Sequence, residues 1–170
     1  MAGPQFVFGY GSLAGEGAGR PALLRGHSRV WGVAMDNSVD IPGYKIYRAR
    51  ADGSRPAVFV AFLDVVASAA DCTQGLLLPV AGDVLVALDE RERNYERVDV
   101  TSAIVDAPPG TVWTYRGTHA GRERLRRGVD EGRAVVARAY LESVRSGPAS
   151  GIDAGDLPVL DLERVDLPAR

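Results

Sequence analysis

The chain has 170 residues, 46% apolar and 25% charged, with a formal net charge of −2, a size and balance that suit one globular domain, residues 1–170, with a real core. The absence of a basic tail or block of like charge weighs against a nucleic-acid partner, and no run approaches the roughly 20 apolar residues that cross a bilayer. Cys72 is the single cysteine, which excludes an intramolecular disulfide and a cysteine-based metal site. The first residues have neither the charged nor the long apolar segment of a signal peptide, so the expected compartment is the cytoplasm.

Gln5 to Phe8 is a short apolar run that reads as a buried strand, and it stops at Gly9-Tyr10-Gly11-Ser12-Leu13. Glycine permits φ > 0 and lets a ligand approach the main chain closely. A strand ending in such a turn leaves N–H groups without ladder partners, a concave site for a small anionic group such as a carboxylate or phosphate. The same residues would also serve as a tight turn with no ligand. Residues 14–28, rich in glycine, read as a loop or a broken short helix around Leu23-Leu24. Arg29 to Met35 alternates as a strand, and Asp36 to Tyr47 reads as a loop turning at Pro42-Gly43. Pro56 to Val66 and Gln74 to Val80 read as two further strands, separated by the polar Asp71-Cys72-Thr73.

The clearest helix follows. Asp83 is a candidate N-cap, and Val84 to Tyr95 contains neither Gly nor Pro. At about 100° per residue Leu85, Leu88 and Tyr95 share a face, and Glu92 falls on it, while Glu90, Arg93 and Asn94 point away. A carboxyl turned toward the core is costly to ionise and is suited to general acid–base work. An internal ion pair with Arg91 or Arg97 would explain the same placement. Glu96 to Asp106 and Thr111 to Tyr115 read as strands of a hairpin over 97–116, turning at Pro108-Pro109-Gly110. Residues 118–132 read as a solvated loop or helix face, because acids interleave with the arginines. Arg133 to Ser146 reads as a second helix stopped by Gly147-Pro148, and Leu157 to Leu162 as an edge strand. Some six strands, few helices and no regular βα alternation predict an α+β fold, a small mixed β-barrel with flanking helices that hides its edges.

Other chemistries fit less well. His27 and His119 lack a second ligand at metal spacing. Ser12 is not in a G-x-S-x-G elbow, and there is no phosphate-binding G-x-x-x-x-G-K-[ST]. Gly9 to Ala14 does match the dinucleotide pattern G-x-G-x-x-A, with Asp36 where a ribose-binding acid would stand. That motif must open a helix, and Gly17, Gly19 and Pro21 break the stretch where the helix would run.

The Tyr10-Gly11-Ser12-Leu13 turn after Phe6-Val7-Phe8 resembles the signature of the γ-glutamylcyclotransferase-like family. So does Leu88-Asp89-Glu90-Arg91-Glu92, followed by Tyr95 and Arg97-Val98-Asp99-Val100. Gly75-Leu76-Leu77 is similar to the strand before the family's catalytic helix, and Tyr140-Leu141-Glu142 to its C-terminal helix. The resemblance spans roughly residues 6 to 147, in the family's order. It implies an enzyme that cleaves a γ-glutamyl amide by intramolecular attack of the substrate's α-amine, releasing 5-oxoproline and an amine or amino acid. It implies Glu92 as the catalytic acid–base, and Tyr10, Gly11, Ser12, Leu13 and Tyr140 as substrate-binding residues. No cofactor or metal is implied; the partner is a small γ-glutamyl substrate, and a homodimer is a permitted assembly. Two departures stand out: Val136-Ala137 where the family often has Pro-Ser, and Arg93 where many members carry glycine. Asp36 to Arg55 has no clear counterpart and is a candidate for shaping a specific pocket. A non-catalytic small-molecule binder of the same fold is the alternative from another class.

Overall fold

The computed structural model describes residues 2–15 and 19–170. Strand β1 (Gln5–Gly9) lies in the middle of a seven-stranded sheet. It pairs antiparallel with the end of β4 (Phe59–Val80), from Gln5 opposite Val80 to Gly9 opposite Leu76. On its other side it pairs parallel with β6 (Thr111–Gly117), and β6 pairs antiparallel with β5 (Tyr95–Asp99). The start of β4 pairs parallel with β7 (Ala134–Ala137), and β7 with the two-residue β8 (Val159–Leu160). The long β2 (Arg20–Asp36) lies antiparallel along β4. A separate two-stranded sheet joins β3 (Lys45–Ala49) to β9 (Leu162–Asp166).

The fold is α+β as expected, and among the described residues no ladder closes the sheet into a barrel. The sheet runs from β5 to β8 with no ladder between those ends among the described residues. The edge at β8 is only two residues long, and α2 (His119–Asp130) packs against β2, with Gly121 beside Val33 and Leu125 in one cluster with Ala34.

Several segments differ from the sequence expectation, each for a tertiary reason. Residues 20–28, expected as loop or broken helix, are strand: Gly26 sits at φ +71° beside a register shift between Arg25 and His27, so the glycine marks a bulge and not a loop. The two strands expected over 56–66 and 74–80 are halves of one 22-residue strand. Its polar middle is polar because residues 69–72 are solvent-exposed; the ladder to β2 breaks there, resuming at Ala67 opposite His27 after Cys72 opposite Arg25. The expected helix over 133–146 begins as β7, whose Ala-Val-Val-Ala is wholly buried between β4 and β8. Helix α3 (Arg138–Arg145) starts only after it. The expected strand over 96–106 stops at Asp99, and Thr101–Ala103 forms a 3-10 turn.

Helix α1 spans Gly82–Arg91, so it ends short of the expected Tyr95, and Ala81 and not Asp83 is its N-cap. Nothing in the local sequence stops it. Its end is imposed by Asn94, which is 4% exposed and anchored by three residues. The Asn94 carbonyl accepts from the Thr118 N–H at 2.9 Å, its Oδ1 accepts from Arg124 Nη2 at 2.6 Å, and its Nδ2 donates to the Tyr44 hydroxyl at 3.4 Å. Tyr95 then enters the ladder opposite Gly117. The outward placement expected for Asn94 is therefore wrong, and Tyr95 is a strand residue.

Candidate active site

The turn after β1 folds back on itself. The Ala14 N–H closes on the Gly11 carbonyl at 3.1 Å, and Ser12–Gly15 is a single 3-10 turn. Gly9 and Gly11 are not in the left-handed region, so the expected need for positive φ is replaced by a need for space. A Cβ on Gly9 would stand 2.9 Å from the Ala14 nitrogen. The N–H groups of Gly11 and Ser12 donate to no backbone carbonyl of a described residue, as is usual at the start of a helical turn. The turn ends at Gly15 and β2 already begins at Arg20, which leaves no room for the crossover helix that a dinucleotide fingerprint requires.

The turn lines a narrow cleft of about 30 Å³, with Leu63, Glu92, Tyr95, Tyr115 and Tyr140 as the other walls. All six candidate residues named from the sequence, Tyr10, Gly11, Ser12, Leu13, Glu92 and Tyr140, border this one space. Glu92 reaches it from an irregular position: it is the C-cap of α1, at φ −87° and ψ 65°, and its N–H closes the last helical turn on the Leu88 carbonyl at 2.9 Å. Its side chain is 16% exposed and Oε1 accepts from Arg91 Nη2 at 3.2 Å. The inward direction inferred from helical periodicity is thus reached through the cap, not through a helix continuing to residue 95.

The tyrosines are fixed by backbone groups of the sheet. Tyr10 donates to the Tyr115 carbonyl at 2.5 Å, and Tyr95 to the Leu63 carbonyl at 2.6 Å. The Tyr140 hydroxyl accepts from the Leu63 N–H at 3.2 Å, and its ring packs edge-on against Phe62 and Trp31. Tyr115 donates to Asp89 Oδ1 at 2.8 Å, and the same oxygen receives Arg97 Nε at 3.2 Å. In the Leu88-Asp89-Glu90-Arg91-Glu92 block, Asp89 therefore clamps the helix to β6 while Glu92 faces the cleft. Arg29 secures the turn from β2, donating from Nε to the Tyr10 carbonyl at 2.8 Å and from Nη2 to the Gln74 carbonyl.

Burial pushes the hydroxyls of Tyr10, Tyr95, Tyr115 and Tyr140 upward in pKa, Tyr10 and Tyr95 well above the ordinary value. They stay protonated near neutral pH and act as donors and walls, not as bases. Among the described residues the only carboxylate in the cleft lining is Glu92.

Glu92, Ser12, Tyr95 and Tyr140 also border an outer chamber of about 350 Å³, a volume typical of small-molecule sites. Its far wall is Lys45 and Tyr47 of β3 and Tyr44 just before it, together with Leu162 and Arg164 of β9 and Phe62. Tyr95, Tyr115, Arg29 and Lys45 were not singled out as site residues from the sequence. Tyr95 had a signal in its inward face; the others arrive through strand pairings that no local pattern reveals. Among the described residues no three of His, Cys, Asp and Glu gather as a metal-binding group, and no helix is long and apolar enough to cross a membrane.

No family model and no curated protein matches the sequence. Among solved structures the chain is similar to a γ-glutamyl cyclotransferase (TM-score 0.46, 14% identity, 68% of either chain covered). It is similar also to a yeast γ-glutamyl cyclotransferase specific to glutathione (TM-score 0.49, 14% identity, 70% of this chain and 72% of that one). A third neighbour is YkqA from Bacillus subtilis (TM-score 0.49, 14% identity), where 92% of this chain covers 56% of that one.

Proposed function

We propose that the protein is a γ-glutamylcyclotransferase-type enzyme that converts a γ-glutamyl amide to 5-oxoproline and a free amine or amino acid. The observation that carries this reading is the placement of one carboxylate, Glu92, in the wall shared by a backbone-lined turn and a larger chamber. A γ-glutamyl amide has matching parts: a compact glutamyl half and a variable leaving half.

In this reading the glutamyl α-carboxylate or the developing oxyanion lies against the N–H groups of Gly11 to Leu13. Tyr10, Tyr95 and Tyr140 fold the chain so that its α-amine approaches its own γ-carbonyl, and this orientation supplies much of the acceleration. The α-nitrogen forms a bond to the carbonyl carbon, and the bond from that carbon to the leaving nitrogen breaks. Glu92 accepts the proton that the α-nitrogen sheds and returns one to the leaving nitrogen, so the acid ends as it began. No nucleophile from the protein is consumed.

The test is incubation with γ-glutamyl-alanine, glutathione and γ-glutamyl-ethylamine, with chromatographic detection of 5-oxoproline. Stoichiometric release of 5-oxoproline and the amine from at least one of them supports the reading. Binding of these compounds with no turnover of any would favour the non-catalytic binder.

A further inference from the structure

Lys45 is the first residue of β3, and its ammonium lies in a box of aromatic rings. Nζ is 4.3 Å from the Phe62 ring centre, 5.3 Å from Tyr44 and 6.0 Å from Tyr47. It makes no hydrogen bond or ion pair with a described residue. Asp166, opposite it in the β3–β9 ladder, is engaged by Arg164 Nε at 2.7 Å. A desolvated ammonium without a counter-charge in contact is costly, and its three donors remain available to a guest in the outer chamber, whose wall Lys45 forms. Arg91, Arg93 and Arg164 line the same chamber, with Glu92 as its one carboxylate among the described residues. Arg91 is paired with Glu92 and Arg164 with Asp166, so the cationic groups of the lining with no ion pair to a described residue are Lys45 and Arg93.

We infer that Lys45 receives a carboxylate on the released half of the substrate, so that the enzyme prefers γ-glutamyl amino acids and peptides over γ-glutamyl amines. This rests on the reading of the site given above. Methionine is the suitable replacement for Lys45, because it keeps the stem packed between the rings and removes only the charge.

The groups facing the ammonium are Arg164 and Asp166 from β9, Glu92 and Arg91 from the end of α1, and Tyr44 and Tyr47 from its own segment. Burial, seconded by Arg164, pulls the ammonium down to about 8. It carries its charge below that pH and loses it above.

The experiment compares kcat/KM for γ-glutamyl-alanine and γ-glutamyl-ethylamine, which differ in the carboxylate. Wild type is expected to favour γ-glutamyl-alanine, and K45M to lower that preference roughly 10- to 100-fold, the worth of one hydrogen bond to a charged group. The wild-type preference should fall as pH rises through about 8, whereas that of K45M should stay flat. The ratio cancels the titration of the α-amine common to both substrates. Calorimetric binding of the same two compounds to E92Q and to E92Q/K45M reads the contact without turnover. Loss of carboxylate preference in binding, with no turnover by wild type, would uphold the role of Lys45 and sink the cyclisation. An equal loss for both compounds, an unchanged ratio, or no binding of either would overturn the role of Lys45.

Discussion

Removing the carboxylate of Asp64 should unfold the protein far more readily than its single ion pair suggests. Asp64 is 0% exposed, and its neighbour Leu63 holds the hydroxyls of both Tyr95 and Tyr140. Oδ1 accepts from the N–H groups of Gly117 and Val65, each at 2.8 Å, and Oδ2 from Arg122 Nε at 3.0 Å. The Arg122 side chain is 41% exposed, so water screens the charge pair and little is credited to it. The larger loss is that two backbone donors inside the sheet have no acceptor in Asp64→Ala, at about 1–3 kcal/mol each. A total near 3–5 kcal/mol follows, consistent with breaking a buried charged cluster from one side. For a chain of this length that corresponds to a fall in Tm of roughly 6–20 °C. Asp64→Asn keeps an acceptor at Oδ1 and should lose less than half as much. Urea unfolding followed by tryptophan fluorescence reads both variants. A loss below about 1 kcal/mol for Asp64→Ala, at unchanged m, would refute the reasoning, because it would mean that the two N–H groups find other partners.

Arg29→Met should leave the Tyr10 and Gln74 carbonyls without their shared donor. Displacement of the turn should then lower kcat/KM by about 10- to 100-fold, while far-UV circular dichroism stays unchanged; wild-type kinetics would remove Arg29 as the support of the turn. Gly75→Ala would place a Cβ 2.4 Å from Phe8 Cζ and 2.5 Å from the Gly9 carbonyl oxygen. The backbone of β1 cannot yield that much, so the variant should lose about 1–3 kcal/mol in thermal unfolding, and a neutral Tm would contradict the close approach.

The turn and the inward acid were legible because both are local. Gly9-Tyr10-Gly11 announces a tight bend at a strand end, and Glu92 stands among apolar residues at helical spacing. What local pattern could not show was where α1 stops. Val84 to Tyr95 favours helix throughout, and it is Asn94, tied to Thr118, Arg124 and Tyr44, that ends it. Tyr115 was likewise hidden, since it meets the turn only through the pairing of β6 with β1. Strand β7 shows the same limit: Val135-Val136 reads equally well as buried helix or buried strand until β4 and β8 flank it. The outer chamber depends on β3, which forms only when the distant β9, near the end of the chain, lies against it.

Glu92→Gln is nearly isosteric and keeps an acceptor for Arg91 while removing the capacity to cycle a proton. With γ-glutamyl-alanine in a single-turnover experiment, the variant should bind the substrate and form 5-oxoproline roughly 10²–10⁴-fold more slowly than wild type. Formation of 5-oxoproline at close to the wild-type rate by a folded Glu92→Gln protein would contradict the central claim that this carboxylate moves the protons of the cyclisation.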